Sequence, residues 1–192
     1  WGWRDGHWYR EKLLPCTLPA GAPTRFRPGG VYVLLGGAGG LGEVFSEYLI
    51  RRYGAQVVWI GRRAADAALA ARCERLGALG PRPLYLTADA TDDQALVAAV
   101  AAVRARFGAV HGVVHSTLRL ADQSLARMDE AGFRSALAAK VDVSVNMAAA
   151  FAGEPLDFVL FFSSLQAFMR PAGQSNYAAG CAFTDAFAQA LG

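Results

Sequence analysis

Cysteine is scarce in this chain. Cys16, Cys73 and Cys181 are widely spaced with no C-x-x-C pair, which excludes a disulfide framework and a cysteine zinc site and points to a reduced, cytoplasmic compartment. Histidine is equally sparse: His7, His111 and His115 stand apart in carboxylate-poor surroundings, so the converging ligands of a metal centre are not expected. No apolar run approaches the roughly 20 residues of a membrane-spanning helix, so no membrane segment is expected. Blocks of like charge are missing too. The net charge of +3 comes from scattered arginines, which implies no nucleic-acid or membrane surface but would suit an acidic partner. The opening Trp1-Gly2-Trp3-Arg4-Asp5-Gly6-His7-Trp8-Tyr9 has neither an initiator Met nor a signal-peptide pattern, and reads as the start of a piece excised from something longer.

What the chain does have is core. Its 192 residues are 54% hydrophobic and 18% charged, with mean hydropathy +0.22, enough for one α/β domain and short for two. Residues 1–29, with Pro15, Pro19, Pro23 and Pro28, read as an irregular lead-in whose aromatics pack against a neighbouring element. Beyond them, short apolar runs at Val31–Leu35, Gln56–Ile60, Pro83–Leu86, Gly112–His115 and Asp157–Phe162 predict strands. Helical patterns separate them near Glu43–Tyr53, Ala64–Leu76, Asp93–Phe107 and Met128–Phe151, with a last one from Asn176 to Leu191. Continuously apolar strands alternating with helices predict a doubly wound parallel sheet of the Rossmann-like α/β class, covered on both faces. A complete sheet of this kind has six or more strands, so residues 30–192 are expected to lack a C-terminal part.

The most informative stretch is Val31-Tyr32-Val33-Leu34-Leu35 running into Gly36-Gly37-Ala38-Gly39-Gly40-Leu41-Gly42 and then into a helix. Strand, glycine turn and helix start build a phosphate cradle, because glycine lets the backbone approach a pyrophosphate that faces the helix N-terminus. A tight strand-to-helix turn also needs glycine whatever it binds. The second strand is more discriminating. An NAD site places an acid at its end, whereas Gln56-Val57-Val58-Trp59-Ile60-Gly61 leads into Arg62-Arg63, whose guanidinium groups suit the 2′-phosphate of NADPH. Two solvated arginines opening a helix are the plainer alternative. Asp89, in Ala88-Asp89-Ala90-Thr91-Asp92, either reaches an adenine ring or belongs to the cap of the next helix.

At the far end, Ser163-Ser164 closes the last strand and Tyr177 opens the last helix. The carboxyl ends of parallel strands line the ligand crevice, so these two hydroxyls can meet one carbonyl oxygen there. A strand-end serine can equally be a cap, and the tyrosine a packing residue.

Taken in order, the glycine motif, Gly61-Arg62-Arg63, Ala88-Asp89-Ala90-Thr91-Asp92, His111-Gly112-Val113-Val114-His115, Asp157 to Ser164 and Gly173-Gln174-Ser175-Asn176-Tyr177-Ala178-Ala179 resemble one family. It is the ketoreductase (KR) domain of modular type I polyketide synthases, within the short-chain dehydrogenases/reductases. The wording Ser175-Asn176-Tyr177-Ala178-Ala179-Gly180-Cys181 resembles the domains of assembly lines without integral acyltransferases. The resemblance implies that Tyr177 donates a proton, Ser164 hydrogen-bonds the carbonyl oxygen, and Lys140, in Ala138-Ala139-Lys140-Val141-Asp142, holds the site together. A nearby ammonium is expected to favour the phenolate and so ease proton transfer. Cofactor contacts are implied for Gly36, Gly37, Gly39, Gly40, Leu41, Gly42, Arg62, Arg63, Asp89 and His115.

Three positions depart from or refine that pattern. Cys181 stands where the family has an Asn one helical turn past the tyrosine, and a thiol hydrogen-bonds weakly beside an amide; an inert, buried cysteine is expected. Leu35 replaces a Thr before the glycine motif and Leu118 a Gly after His115, and each could weaken cofactor binding. Asp122, in Leu120-Ala121-Asp122, keeps the last Asp of the motif marking B-type stereochemistry, while Met169 occupies the Trp position that marks A-type.

The implied activity is NADPH-dependent reduction of a β-ketoacyl group carried by an acyl carrier protein, in company with the other domains of a synthase polypeptide. On this reading residues 1–29 are the tail of a preceding structural subdomain and residues 30–192 the NADPH-binding catalytic domain. Two alternatives stand beside it: a catalytically silent structural or docking domain with the same fold, and a stand-alone reductase of small carbonyl compounds.

Overall fold

The computed structural model describes residues 2–10, 12–17, 21, 24–169 and 172–192; Trp1, Pro19 and Pro23 lie outside them. The lead-in is not wholly irregular. Strands β1 (Gly2–Arg4) and β2 (His7–Tyr9) pair as an antiparallel hairpin around Asp5 and Gly6, both at positive φ (49° and 79°). An Asp-Gly pair with positive φ is the signature of the tight turn whose twist matches paired strands, a local signal the proline-based reading passed over. Its Trp3 and Trp8 face each other across the pair at 5.2 Å and are exposed on this chain, whereas Phe26 packs against Tyr32, Phe45, Tyr53 and Phe158.

From residue 31 the chain alternates: β3 (Val31–Leu35), α1 (Gly40–Tyr53), β4 (Gln56–Gly61), α2 (Ala67–Gly77), β5 (Leu84–Thr87), α3 (Asp93–Phe107) and β6 (Gly112–His115). It continues through α4 (Glu130–Ala138), α5 (Val141–Ala150), β7 (Phe158–Phe161), the short α6 (Gln166–Met169) and α7 (Ser175–Leu191). Five strands form one parallel sheet in the order β5-β4-β3-β6-β7. The order reverses beside β3, and such a switch point opens a crevice at the carboxyl ends of the strands. The doubly wound sheet read from the sequence is therefore the fold.

Two-residue alternation splits the core into two layers. Val33, Leu35, Val58, Ile60 and Val113 meet Leu96, Val100, Val103, Val143 and Met147 of α3 and α5 on one face. Tyr32, Leu34, Val57, Trp59 and Val114 meet Leu49, Ile50, Leu69 and Leu76 of α1 and α2 on the other. Because both faces are covered, β3 is buried at every position. Among the described residues no helix is long and apolar enough to cross a membrane.

One helix of the sequence reading is two. The pattern Met128–Phe151 breaks between α4 and α5, where the Thr117 hydroxyl donates to the Ala139 carbonyl at 2.5 Å and the Lys140 amide turns back to Leu137 at 2.8 Å. A side chain inserted into the helical ladder is a sufficient cause of such a break. It leaves Lys140 at the joint, facing the sheet edge.

Candidate active site

The crevice begins at the turn after β3. Gly36 has φ 78°, and a Cβ there would stand 2.8 Å from the Ser116 carbonyl oxygen; a Cβ on Gly42 would stand 2.4 Å from that of Gly37. Only glycine permits this turn, which packs the start of α1 closely over its own strand. Helices α2, α3 and α4 carry Asp66, Asp92 and Asp129 as N-caps accepting from Leu69, Ala95 and Gly132. At α1 the cap is Gly39, with no side chain to accept a bond. Its first N–H groups therefore have no side-chain cap and carry the positive end of the helix dipole at the turn.

A cleft of about 490 Å³ spreads from this turn over the ends of β5, β4 and β6, lined by Gly36, Gly39, Arg62, Asp89, Thr117 and Arg119 among others. Of the expected cofactor residues, Gly36, Gly39, Arg62 and Asp89 line it, whereas Gly37, Gly40, Leu41, Gly42, Arg63 and His115 do not. Arg63 turns towards Asp66 at 3.6 Å. Asp89 accepts from the Thr91 amide and hydroxyl at 3.0 and 2.8 Å, leaving the cap of α3 to Asp92. His115 lies behind the cleft wall, fully buried beside Phe161, with the Thr117 hydroxyl 3.5 Å from its Nε2. Burial first, and the Lys140 charge second, push its pKa from 6.5 down to about 4.

The hydroxyl pair assembles next to this cleft, beyond β7. Tyr177, in the first turn of α7, has its phenol against the Ser164 hydroxyl and the Cys181 thiol. Ser164 Oγ accepts from the Gln166 amide at 3.2 Å, starting α6, and its hydrogen is directed at the Tyr177 phenol. Lys140 is 3% exposed and its Nζ donates to the Phe162 carbonyl at 2.7 Å. Gly180 makes room for its stem, since a Cβ there would stand 3.1 Å from Lys140 Cβ. Burial lowers the Lys140 pKa, with Cys181 and Asp185 pulling it back up.

From the sequence, a nearby ammonium is expected to draw the tyrosine pKa down. The structure gives the opposite direction: burial raises the Tyr177 pKa, the Ser164 hydrogen bond opposes it, and Cys181 and Asp122 add to the rise. The reason is geometric, because the Lys140 ammonium is held on the Phe162 carbonyl. A phenol so placed keeps its proton at neutral pH and can give it only to a strongly basic oxygen. Cys181 is buried with a raised pKa, caused first by burial, which matches an inert thiol.

Asp122 accepts from Gln174 Nε2 at 2.7 Å, and Met169 on α6 is exposed. Asn176, fully buried, donates to the Ala121 carbonyl at 2.9 Å and accepts from the Tyr177 amide at 2.8 Å. Asn176 and Thr117 fix the loop after β6 to α7 and to the α4–α5 joint. The sequence held no periodic signal for either, because each works across more than twenty residues of chain.

Comparison with known proteins adds an independent observation. The family model for the KR domain matches residues 30–191. The chain is 60% identical over 188 residues to the polyketide synthase ThaG of Burkholderia thailandensis, covering 98% of this chain and 3% of that protein. It is 51% identical over 191 residues to the polyketide synthase PksN of Bacillus subtilis, covering 100% of this chain and 4% of that one. The chain thus spans only a few hundredths of the length of these relatives. Among solved structures, a ketoreductase domain from the bacillaene assembly line superposes with TM-score 0.84 at 28% identity, over 91% of this chain and 43% of that one. An N-terminal ketoreductase from the macrolactin assembly line gives TM-score 0.83 at 34% identity, over 85% and 34%.

Proposed function

This chain belongs to the KR-domain family of polyketide synthases, and on that premise we propose that it reduces a β-ketoacyl group tethered to an acyl carrier protein, with NADPH as reductant and B-type stereochemistry. The observation that carries the reading is the grouping of Tyr177, Ser164 and buried Lys140 at the carboxyl edge of the sheet, next to the glycine-lined cleft. What supports the cofactor is the fit of the cleft: a glycine turn no Cβ could share, a helix start without a side-chain cap, and Arg62 at the end of β4. Gly36 and Gly39 would hold the pyrophosphate, Arg62 the 2′-phosphate and Asp89 the adenine side. When bound, the reduced nicotinamide supplies a hydride to the ketone carbon.

The chain's own groups do the rest. Ser164 turns its hydrogen from the Tyr177 phenol to the carbonyl oxygen and strengthens that bond as negative charge develops. Tyr177, protonated because it is buried, transfers its phenol hydrogen to the alkoxide. Lys140 ties the α4–α5 joint to the strand end through the Phe162 carbonyl and brings its charge close to Cys181 of α7. Asp122, held by Gln174 beside the mouth, biases the face on which the carbonyl lies. Residues 1–29 serve as a lead-in from a preceding structural subdomain, and residues 30–192 carry the catalytic site.

The test is the loss of NADPH absorbance with a β-ketoacyl thioester, parent against Tyr177→Phe. Turnover by the parent and a loss of several hundredfold in kcat by the variant is expected, since a general acid contributes on the order of 10²–10⁴. No turnover by the parent would favour a silent domain, and equal rates would remove Tyr177 from the chemistry.

A further inference from the structure

The cleft holds a cation that the sequence did not single out. Arg62 and Arg119 both line it, and no carboxylate among the described residues pairs with either. Asp89, the acid beside them, is already engaged by Thr91. The register fixes where the loops bearing the two arginines start. Leu35 of β3 pairs with Ile60 of β4 on one side and with His115 of β6 on the other, so the chain leaves all three strands at one level. Arg62 follows β4, Arg119 follows β6, and the Gly36–Gly39 turn lies between them. Neighbouring strands are about 4.8 Å apart and both arginines line the one cleft, so the loops that carry them flank the turn.

We infer that Arg119 is an anion-binding residue of the cofactor cleft, taking the pyrophosphate from the side opposite Arg62. This rests on the dinucleotide reading above and deepens it. The argument is one of charge placement. A dinucleotide phosphate brings two anionic groups, and the cleft offers two unpaired guanidinium groups on either side of an uncapped helix start. Arg62, at the adenosine end, meets the 2′-phosphate. Arg119 then meets the anion over the turn, where the N–H groups of α1 alone would leave one side of the pyrophosphate to water.

Ligands that carry the two anions separately test this. ADP has a pyrophosphate and no 2′-phosphate, adenosine 2′-monophosphate has the reverse, and NADH and NADPH complete the set. Dissociation constants are measured by titration of the full chain carrying Arg119→Ala, Arg119→Lys or Arg62→Ala. Arg119→Ala should weaken ADP, NADH and NADPH alike, on the order of tenfold each, as expected for one charge-assisted contact near solvent, and leave adenosine 2′-monophosphate unchanged. Arg119→Lys should recover part of the loss, and added salt should shrink it. Arg62→Ala should give the complementary pattern.

Unchanged ADP and NADH binding in Arg119→Ala, with the parent binding both, would overturn the inference and leave the dinucleotide reading standing; Arg119 would then face some other anion, such as the phosphate of a carrier-borne substrate. A loss confined to adenosine 2′-monophosphate and NADPH would also overturn it, by moving Arg119 to the ribose. A parent that binds none of the four would end both readings together. Arg119 is exposed in a loop, so its replacement leaves the core intact, and an unchanged thermal melt confirms that.

Discussion

Acid should destabilise this fold through one buried ring. His115 is fully enclosed at the end of β6, with Phe161 stacked obliquely at 5.8 Å and the Lys140 ammonium near it. Its pKa falls from 6.5 to about 4, chiefly through burial. The unfolded chain takes up a proton below 6.5 that the native state refuses until about 4. The stability owed to the neutral ring is therefore full above 6.5 and lost progressively as the pH falls towards 4. The gap corresponds to about 3 kcal/mol, a large share of the 5–15 kcal/mol typical of a domain. Urea unfolding across that window, parent against His115→Gln, isolates the effect, since every other titrating group is common to both. The parent should lose up to about 1.4 kcal/mol more per pH unit than the variant. Parallel curves would refute the reasoning, because they would mean that the ring is hydrated or already charged in the native state.

The two arginines after β4 should not be equivalent. Arg62→Ala is expected to weaken NADPH by about tenfold to a hundredfold and leave NADH nearly unchanged, whereas Arg63→Ala, already turned to Asp66, should cost far less; similar losses in both variants, read by fluorescence titration, would contradict the assignment. Product chirality tests the last site: chromatography of the β-hydroxyacyl product should show the B-type alcohol in the parent, and Asp122→Ala should erode its excess by freeing Gln174. An A-type product from the parent would overturn the stereochemical argument.

How much of this was legible depends on how local the cause is. The five sheet strands, the glycine turn and the positions of Ser164 and Tyr177 follow from runs a few residues long, and the structure places them within a residue or two of expectation. The hairpin at Asp5-Gly6 was equally local and was missed because prolines further on dominated the reading of that segment. The break at Lys140 was not legible: its cause is a hydroxyl twenty-two residues away, invisible to helical periodicity. The direction of the Tyr177 pKa failed for the same reason, since it turns on which acceptor the Lys140 ammonium chooses.

Those long-range contacts share one piece of chain. From Ser116 to Asp122, the loop after β6 donates Thr117 to the α4–α5 joint, places Arg119 in the cleft, lends the Ala121 carbonyl to Asn176 and holds Asp122 on Gln174. One short loop thus touches the cleft, the lysine joint and the helix that bears the tyrosine. Its tether at Thr117 opens the joint that turns Lys140 inward, and its tether at Asn176 orients the first turn of α7. Two hydrogen bonds therefore tie the α4–α5 joint that bears Lys140 and the first turn of α7 to the loop that walls the cleft. Those ties give a physical reason for a loop without regular structure to lie at the switch point of the sheet: its free backbone and side chains reach three elements that a regular strand end would leave apart.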